Sequence, residues 1–510
     1  EFKNDYQYFF REDNPQLRAF EELQAIYTKN DNTLIVLAPE SGKVFAPETL
    51  AAVGELTDEA WQLPFATRVD SITNFQHTRA TEDDLIVDDL VDLEREYTPE
   101  ELDELEAIAL AEPLLRRRLI SDEAHVTAIL IRHTVPRKAS DEQTQAALAA
   151  RELARKIESK YPGHTAYLTG GVMLSNSFFE ASVQDLSTLV PLMYVILLVT
   201  ALLFLRSFWG MLITFVIIVL SSSTAMGLSG WLGIPITPPS SSAPTVIMTL
   251  AVADSIHLLV TLFQSMRSGM NKKEAMTESI RINLGPVFLT SLTTAIGLLA
   301  LNLSDVRPFN DLGNISTIGV TAAFVYTVVL VPALVAIFPI RSGKPVGESS
   351  RPIVKLGELV VERQRPLLWL GGALIVFLSL MVSRNELNDE FVKYFDESFA
   401  FRTDTDFVSE NLSGIYTMEY SLSSGEESGI SKPDYLEDVE AFANWARAQP
   451  NVEHVFSITD TFKRLNKNMH GDDPEWYKLP SERNLAAQYL LLYEMSLPYG
   501  LDLNDTINIE

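Results

Sequence analysis

The residue best placed to do chemistry in this sequence is an acid inside an apolar run: Asp254, near the middle of Pro244 to Phe263. An ionised carboxylate at mid-depth of a bilayer costs from about 3 to more than about 10 kcal/mol, so such a residue persists where it faces a polar interior. A carboxyl in that setting can bind and release a proton near neutral pH. If the run is a helix, His257 and Leu258 share its face one turn on and Thr261 follows, giving a polar stripe, while Ser255 adjoins the acid. The next apolar run, Pro286 to Leu303, supplies the hydroxyls of Thr290, Ser291, Thr293 and Thr294. Thr290, Thr294 and Gly297 fall on one helical face that could meet Asp254 and carry protons through hydroxyls or water. Each of these residues also has a purely structural explanation. Asp254 can serve as a hydrogen-bond anchor to a neighbouring helix and His257 as a packed imidazole, while the small residues can be helix-packing positions.

Other chemistries find little footing. The 510 residues include no cysteine, which excludes disulfides and thiolate chemistry, and the seven histidines are scattered, so no metal or other cofactor is expected. Gly343-Lys344 lacks the rest of a phosphate loop, which argues against an ATP-driven machine, and no enzyme reading gains support. A formal charge of -28 disfavours nucleic acid as a partner.

The elements that must position Asp254 are membrane spans. Six apolar stretches, Leu186 to Leu205, Met211 to Leu232, Pro244 to Phe263, Pro286 to Leu303, Leu312 to Phe338 and Leu367 to Val382, approach the roughly 20 helical residues that cross a hydrocarbon core of about 30 Å. Basic residues set their orientation. Arg206, then Arg267, Lys272, Lys273 and Arg281, then Arg341, Lys344, Arg351, Lys355, Arg363 and Arg365 lie in alternate connections and belong in the cytoplasm. The connections Gly233 to Ala243 and Ser304 to Asp311 hold only Arg307 and lie outside, with the soluble regions.

The soluble parts mix strand and helix. Asn32 to Ala38 and His125 to Val135 have strand composition and Asp141 to Tyr161 has helical periodicity, which suggests α/β layers of the split βαβ, ferredoxin-like kind. The stretch Glu82 to Ile120, rich in Asp, Glu and Leu, is expected to be a solvated amphipathic helical segment. An internal repeat links the two ends of the chain. Asn4-Asp5, Tyr8-Phe9, Ile26-Tyr27-Thr28 and Ser71-Ile72-Thr73 recur in order as Asn388-Asp389, Tyr394-Phe395, Ile415-Tyr416-Thr417 and Ser457-Ile458-Thr459. The repeat predicts a strand after Ile415 and a helix over Tyr435 to Ala448. It also predicts a span before Glu1 and five further spans after Glu510, with the chain beginning inside a longer protein. The organisation expected is a soluble domain over 1–184, a five-helix bundle over 185–340, a cytoplasmic linker over 341–366, a sixth span over 367–383 and a second, incomplete soluble domain over 384–510.

The segment AVADSIHLL at Ala251 to Leu259, followed by GPVFLTSLTTAIGLLALNLSDVRPFNDLGNISTIGV at Gly285 to Val320, resembles the resistance-nodulation-division superfamily and within it the MMPL branch, related to Patched and sterol-sensing proteins. The plan of one span, a large external loop and five spans, then the same again, is similar to that superfamily along the whole chain. The resemblance implies an inner-membrane secondary transporter, driven by the proton motive force, that exports hydrophobic or lipid-like molecules. Its large domains would be periplasmic and porter-type, with possible periplasmic partner proteins. A sterol-sensing-like sensor or scaffold and a protein-export auxiliary are the alternatives within the superfamily. One departure from the pattern stands at the acid itself. Many relatives place an Asp one position earlier, where this sequence has Ala253, and here Ser255 follows the acid.

Overall fold

The computed structural model describes residues 2–3, 6–27, 31–80, 85–139, 141–341, 351–386 and 389–508. Asn4, Asp5, Thr28, Glu82, Gly343, Lys344 and Asn388, used above, lie outside the described residues. The chain divides into two compact units, one of residues 4–180 with 392–510 and one of residues 1–3 with 181–391.

The first unit begins with α1 (Pro15–Ile26), capped by Asn14, whose side chain accepts from the amides of Gln16 and Leu17. Then follow β1 (Asp31–Pro39), α2 (Pro47–Ala60), β2 (Ala66–Asp70), β3 (Gln76–Ala80), β4 (Leu85–Asp89), α3 (Pro99–Ala111), β5 (Thr127–His133), α4 (Glu142–Lys160) and β6 (His164–Thr169). Four strands form an antiparallel sheet in the order β2-β5-β1-β6, with β1 paired to β5 on one side and to β6 on the other. β1 can occupy the centre because Ile35, Val36 and Leu37 are all fully buried and β-branched or apolar. The helices α2 and α4 pack on each other and on the sheet. This is the split βαβ arrangement, two βαβ halves interleaved into one sheet.

An insertion separates the halves. Residues 82–120 were expected to be helical, but Leu85–Asp89 is a strand paired with Gln76–Ala80, and helix occupies only Pro99–Ala111. Leu-Ile-Val favours the pleated conformation, and Leu85 joins an apolar core with Leu436, Phe462 and Tyr489, so tertiary burial completes the case for strand. α3 does match the expectation of an exposed acidic helix, opened by a capping box between Thr98 and Glu101.

A long helical segment, α5 (Gly171–Ser187) running into α6 (Leu189–Leu205), leads to α7 (Phe208–Trp231), α8 (Ala243–Arg267), α9 (Lys272–Leu299) and α10 (Arg307–Ile337). After these come α11 (Arg351–Glu362) and α12 (Gln364–Met381). Among the described residues six helical segments are long and apolar enough to cross a membrane, matching the six runs in the sequence. The fourth begins earlier than hydropathy indicated, because its charged first turns from Lys272 are already helical, capped by Asn271 and Glu274. Within the bundle α10 is held close to two neighbours. A Cβ on Gly319 would lie 2.3 Å from Ile247 of α8, and one on Gly313 would lie 2.4 Å from the Leu298 carbonyl of α9. In the same unit Phe2 forms a bridge with Ile236 in the loop between α7 and α8.

The first unit is completed by α13 (Ala400–Asn411), α14 (Pro433–Arg447), α15 (Ile458–Asn468) and α16 (Arg483–Ser496). α13 lies on β6, where Phe407 stacks on Tyr167 at 3.8 Å, Leu168 donates its amide to Asp404 and the Thr169 and Thr405 hydroxyls are 2.7 Å apart. The expected repeat of the sheet is not formed. Residues 413–424 make no backbone ladder, and 452–456 are likewise without one among the described residues. The helices of the repeat are nevertheless in sequence order, α13 answering α1 and α14 answering α2. Ser71 and Thr73 sit hydroxyl to hydroxyl at 2.8 Å, and Ser457 and Thr459 do so at 2.7 Å. A helix satisfies its own backbone, whereas a strand needs a neighbour. β1 receives two neighbours from residues 127–169, and no described segment of 392–508 offers them to Ile415–Ser423.

Candidate functional site

Asp254 sits midway along α8 and is buried, on the side of the helix that carries Ala251, Leu258 and Leu262 into the bundle. Its Oδ2 accepts a hydrogen bond of 3.0 Å from the Ser291 hydroxyl of α9. The acid therefore faces the helix expected from the sequence, but its partner is Ser291 in place of Thr290 or Thr294. The reason is rotational. The face of α9 that meets α8 carries Ser279, Asn283, Val287 and Ser291 at intervals of four, about 100° away from the face of Thr290, Thr294 and Gly297. Ser279 donates to the Leu258 carbonyl at 2.6 Å and Asn283 donates to the Thr261 hydroxyl at 2.8 Å, so three successive polar residues of this face bond to α8.

The remaining candidates make no hydrogen bond to the acid among the described residues, although His257 lies within electrostatic range of it. Thr290 is exposed and donates to the Pro286 carbonyl of its own helix at 2.8 Å, and Thr293 does the same to Leu289 at 2.9 Å. Thr294 is half-buried, and Gly297 is exposed, with open space where a Cβ would stand. His257 is exposed one turn from Asp254, and its carbonyl accepts from the Thr261 hydroxyl. Ser255 is fully buried and its hydroxyl has no hydrogen-bond partner among the described residues.

Two groups escaped the sequence reading. Ser279 and Asn283 extend the face of Ser291, which was named, at a spacing of four, but both lie in the charged half of α9 that hydropathy excluded. Tyr326 of α10, hydrogen-bonded to Thr224 of α7 at 2.9 Å, adds a polar crossing with no sequence signal beyond a tyrosine in an apolar run.

The soluble unit holds a separate concentration of charge. Arg68 pairs with Asp70 at 2.9 Å and with Asp505 at 3.4 Å, Arg118 approaches Asp70 at 3.6 Å, and Arg132 pairs with Asp505. Burial pushes the Asp70 carboxyl up, yet Arg68, Arg118 and Arg132 together hold it below the usual carboxylate range. These groups border a cavity of about 60 Å³, enough for a water molecule or two. Three guanidinium groups against two carboxylates, all paired, make a clamp that fastens the segment around Asp505 to β2 and β5.

Residues 9–363 match the MMPL family, and the chain belongs to that family, within the resistance-nodulation-division superfamily. Over 335 residues it is 22% identical to a protein of Methanocaldococcus jannaschii, a similarity that spans 64% of this chain and 82% of the relative. That relative's name says only that it is a membrane protein.

Proposed function

We propose that this MMPL-family chain belongs to a transporter that exports hydrophobic or lipid-like molecules across the bacterial inner membrane at the expense of the proton gradient, with its soluble unit on the outer face. The observation that carries the reading is a buried carboxyl midway through a membrane span, bonded to a single neutral hydroxyl from the next helix. A carboxylate paired with a cation would be locked in its charged form. Asp254 bonded to Ser291 instead has a partner that can serve either protonation state, because a hydroxyl donates to a carboxylate and accepts from a carboxylic acid. Loading and unloading a proton then changes the charge in the bundle without breaking the contact. Ser291 takes the role expected of Thr290 and Thr294, and His257 has no part in the pair.

The basic connections at Arg206 and at Arg267 to Lys273 support an orientation with the loop between α7 and α8 outside. The test uses the natural protein reconstituted in liposomes with a pH-sensitive dye inside. Asp254→Asn keeps size and hydrogen bonding and removes titration, so the folded protein should lose proton flux coupled to a hydrophobic substrate, while Asp254→Glu should keep part of it. Undiminished flux in the Asn variant would remove Asp254 from the mechanism.

A further inference from the structure

The chain carries a formal charge of -28, yet three arginines stand in a row at Arg116, Arg117 and Arg118. Arg118 belongs to the clamp around Asp70. Arg116 and Arg117 have a different partner, Asp122, which each reaches through its Nε at 2.7 Å. Successive side chains ordinarily diverge, and these two converge across a turn in which Arg117 occupies the left-handed region, with φ of 62°. That conformation is unfavourable for a residue with a side chain and persists only where its surroundings fix it. Here the Arg117 amide donates to the Ile120 carbonyl at 2.7 Å, and Leu115, Leu119 and Ile120 are buried.

The two arginines keep Asp122 charged, Arg117 first and then Arg116 holding its carboxyl below the usual carboxylate range. One carboxylate against two guanidinium groups leaves a full positive charge over. Among the described residues the Nη atoms of Arg116 and Arg117 make no hydrogen bond, and the side chains are 56% and 49% exposed. They line a groove of about 290 Å³ whose remaining lining includes Arg447, Glu453 and His454. His454 Nε2 lies 2.9 Å from the Pro113 carbonyl and ties the two sides together. Arg447 is bonded to the buried Asp460 at 2.5 Å and Glu453 is exposed, so the unspent donors of the groove are those of Arg116 and Arg117.

We propose that this groove binds a phosphate group, with the Nη atoms of Arg116 and Arg117 as donors and Asp122 holding the two guanidinium groups side by side. Guanidinium forks meet phosphate oxygens with paired N–H donors, and a tetrahedral phosphate has oxygens enough for two forks at once. The volume suits a headgroup-sized molecule. A free phosphate and the headgroup of a phospholipid present the same chemistry here. The inference stands apart from any role of Asp254.

The test titrates the full-length protein in a non-ionic detergent, at about 0.15 M salt so that diffuse attraction is screened. The probes are inorganic phosphate, glycerophosphate and dihexanoyl phosphatidylglycerol, followed by calorimetry. At least one should bind saturably; tightest binding of inorganic phosphate identifies a free phosphate as the ligand, and tightest binding of the phosphatidylglycerol identifies a headgroup. Arg116→Gln combined with Arg117→Gln should weaken binding about tenfold or more, and each single replacement several-fold, with exchange protection of the β1 amides unchanged. Arg79→Gln removes an exposed arginine paired with Asp88 elsewhere in the unit and should leave binding as it was. Absence of saturable binding for all three probes would overturn the proposal. So would binding that survives the double replacement, or a loss in Arg79→Gln equal to that in the single variants, which would mean attraction to charge in general.

Discussion

The soluble unit contains two regions built to one sequence plan with different outcomes. In residues 31–169 a run of alternating or apolar residues, Asp31–Pro39, becomes the centre of a four-stranded sheet. In residues 392–508 the run Ile415 to Ser423 alternates Tyr416, Met418, Tyr420 and Leu422 with Thr417, Glu419, Ser421 and Ser423, and stays exposed with no ladder. The first two helices recur in order and the Ser-Ile-Thr hydroxyl pairs recur, in the loop after β2 in one region and at the N-cap of α15 in the other. The difference shows where strand information resides: composition makes a segment fit for a sheet, and hydrogen-bonding neighbours make it a strand.

The comparison can be broken or sharpened by experiment. The largest expected effect is in amide hydrogen exchange. Amides of β1 should exchange slower than those of Tyr416 to Leu422 by about three orders of magnitude or more, because core strands open only at a cost near the global stability. Comparable protection of the two segments would show that the second run has found a partner in solution. Next comes the core. Ile35→Ala should destabilise the soluble unit by about 2–5 kcal/mol, whereas Tyr416→Ala should stay within about 0.5 kcal/mol, as read from denaturant-dependent exchange of β1 amides.

A pH dependence should also appear in the protection of β1. His133 is fully buried, its Nδ1 3.0 Å from the Pro64 carbonyl and its Nε2 3.1 Å from the Thr33 hydroxyl. Burial pushes its pKa down from the ordinary histidine range, so as pH falls the unfolded chain takes up the proton first. The stability His133 contributes is therefore full above about pH 6.5 and is lost as pH falls from there toward the folded value. Protection of β1 should fall below that pH, and His133→Gln should flatten the dependence. His77 and His454, also pushed down by burial, retain their own share. The smallest effect concerns the two Ser-Ile-Thr sites. Ser71→Ala and Ser457→Ala should each cost about 1 kcal/mol, and a marked inequality would mean that the loop after β2 and the N-cap of α15 bear different loads.

Much of this architecture was legible in the sequence. The apolar runs marked six membrane-length helices, since length and composition alone decide whether a helix can span, and the strand-helix alternation marked the split βαβ sheet. Strand formation at Leu85–Asp89 was missed because a five-residue run inside an acidic stretch carries little periodicity, and its burial depends on residues more than 350 positions away, Leu436 among them. At the candidate site the helix facing Asp254 was identified and Ser291 was among the hydroxyls named, but the facing role was assigned to Thr290 and Thr294. A rotation of one position along α9 exchanges Thr290 for Ser291, and hydroxyl content says nothing about which face packs. The i, i+4 series from Ser279 to Ser291 holds that information, but only once the helix is known to begin at Lys272.

The two glycines of α10 have a mechanical consequence. With Gly319 seated on Ile247 and Gly313 on the Leu298 carbonyl, α8, α9 and α10 are keyed together on one side of the Asp254 level, the side of the loop between α7 and α8, so sliding α10 past either neighbour meets a close contact there. These three helices should travel as a single piston head. On the proposed mechanism, a proton taken up at Asp254 would be felt by the triad as a whole, and any motion it triggers would have to be expressed against the helices outside that block.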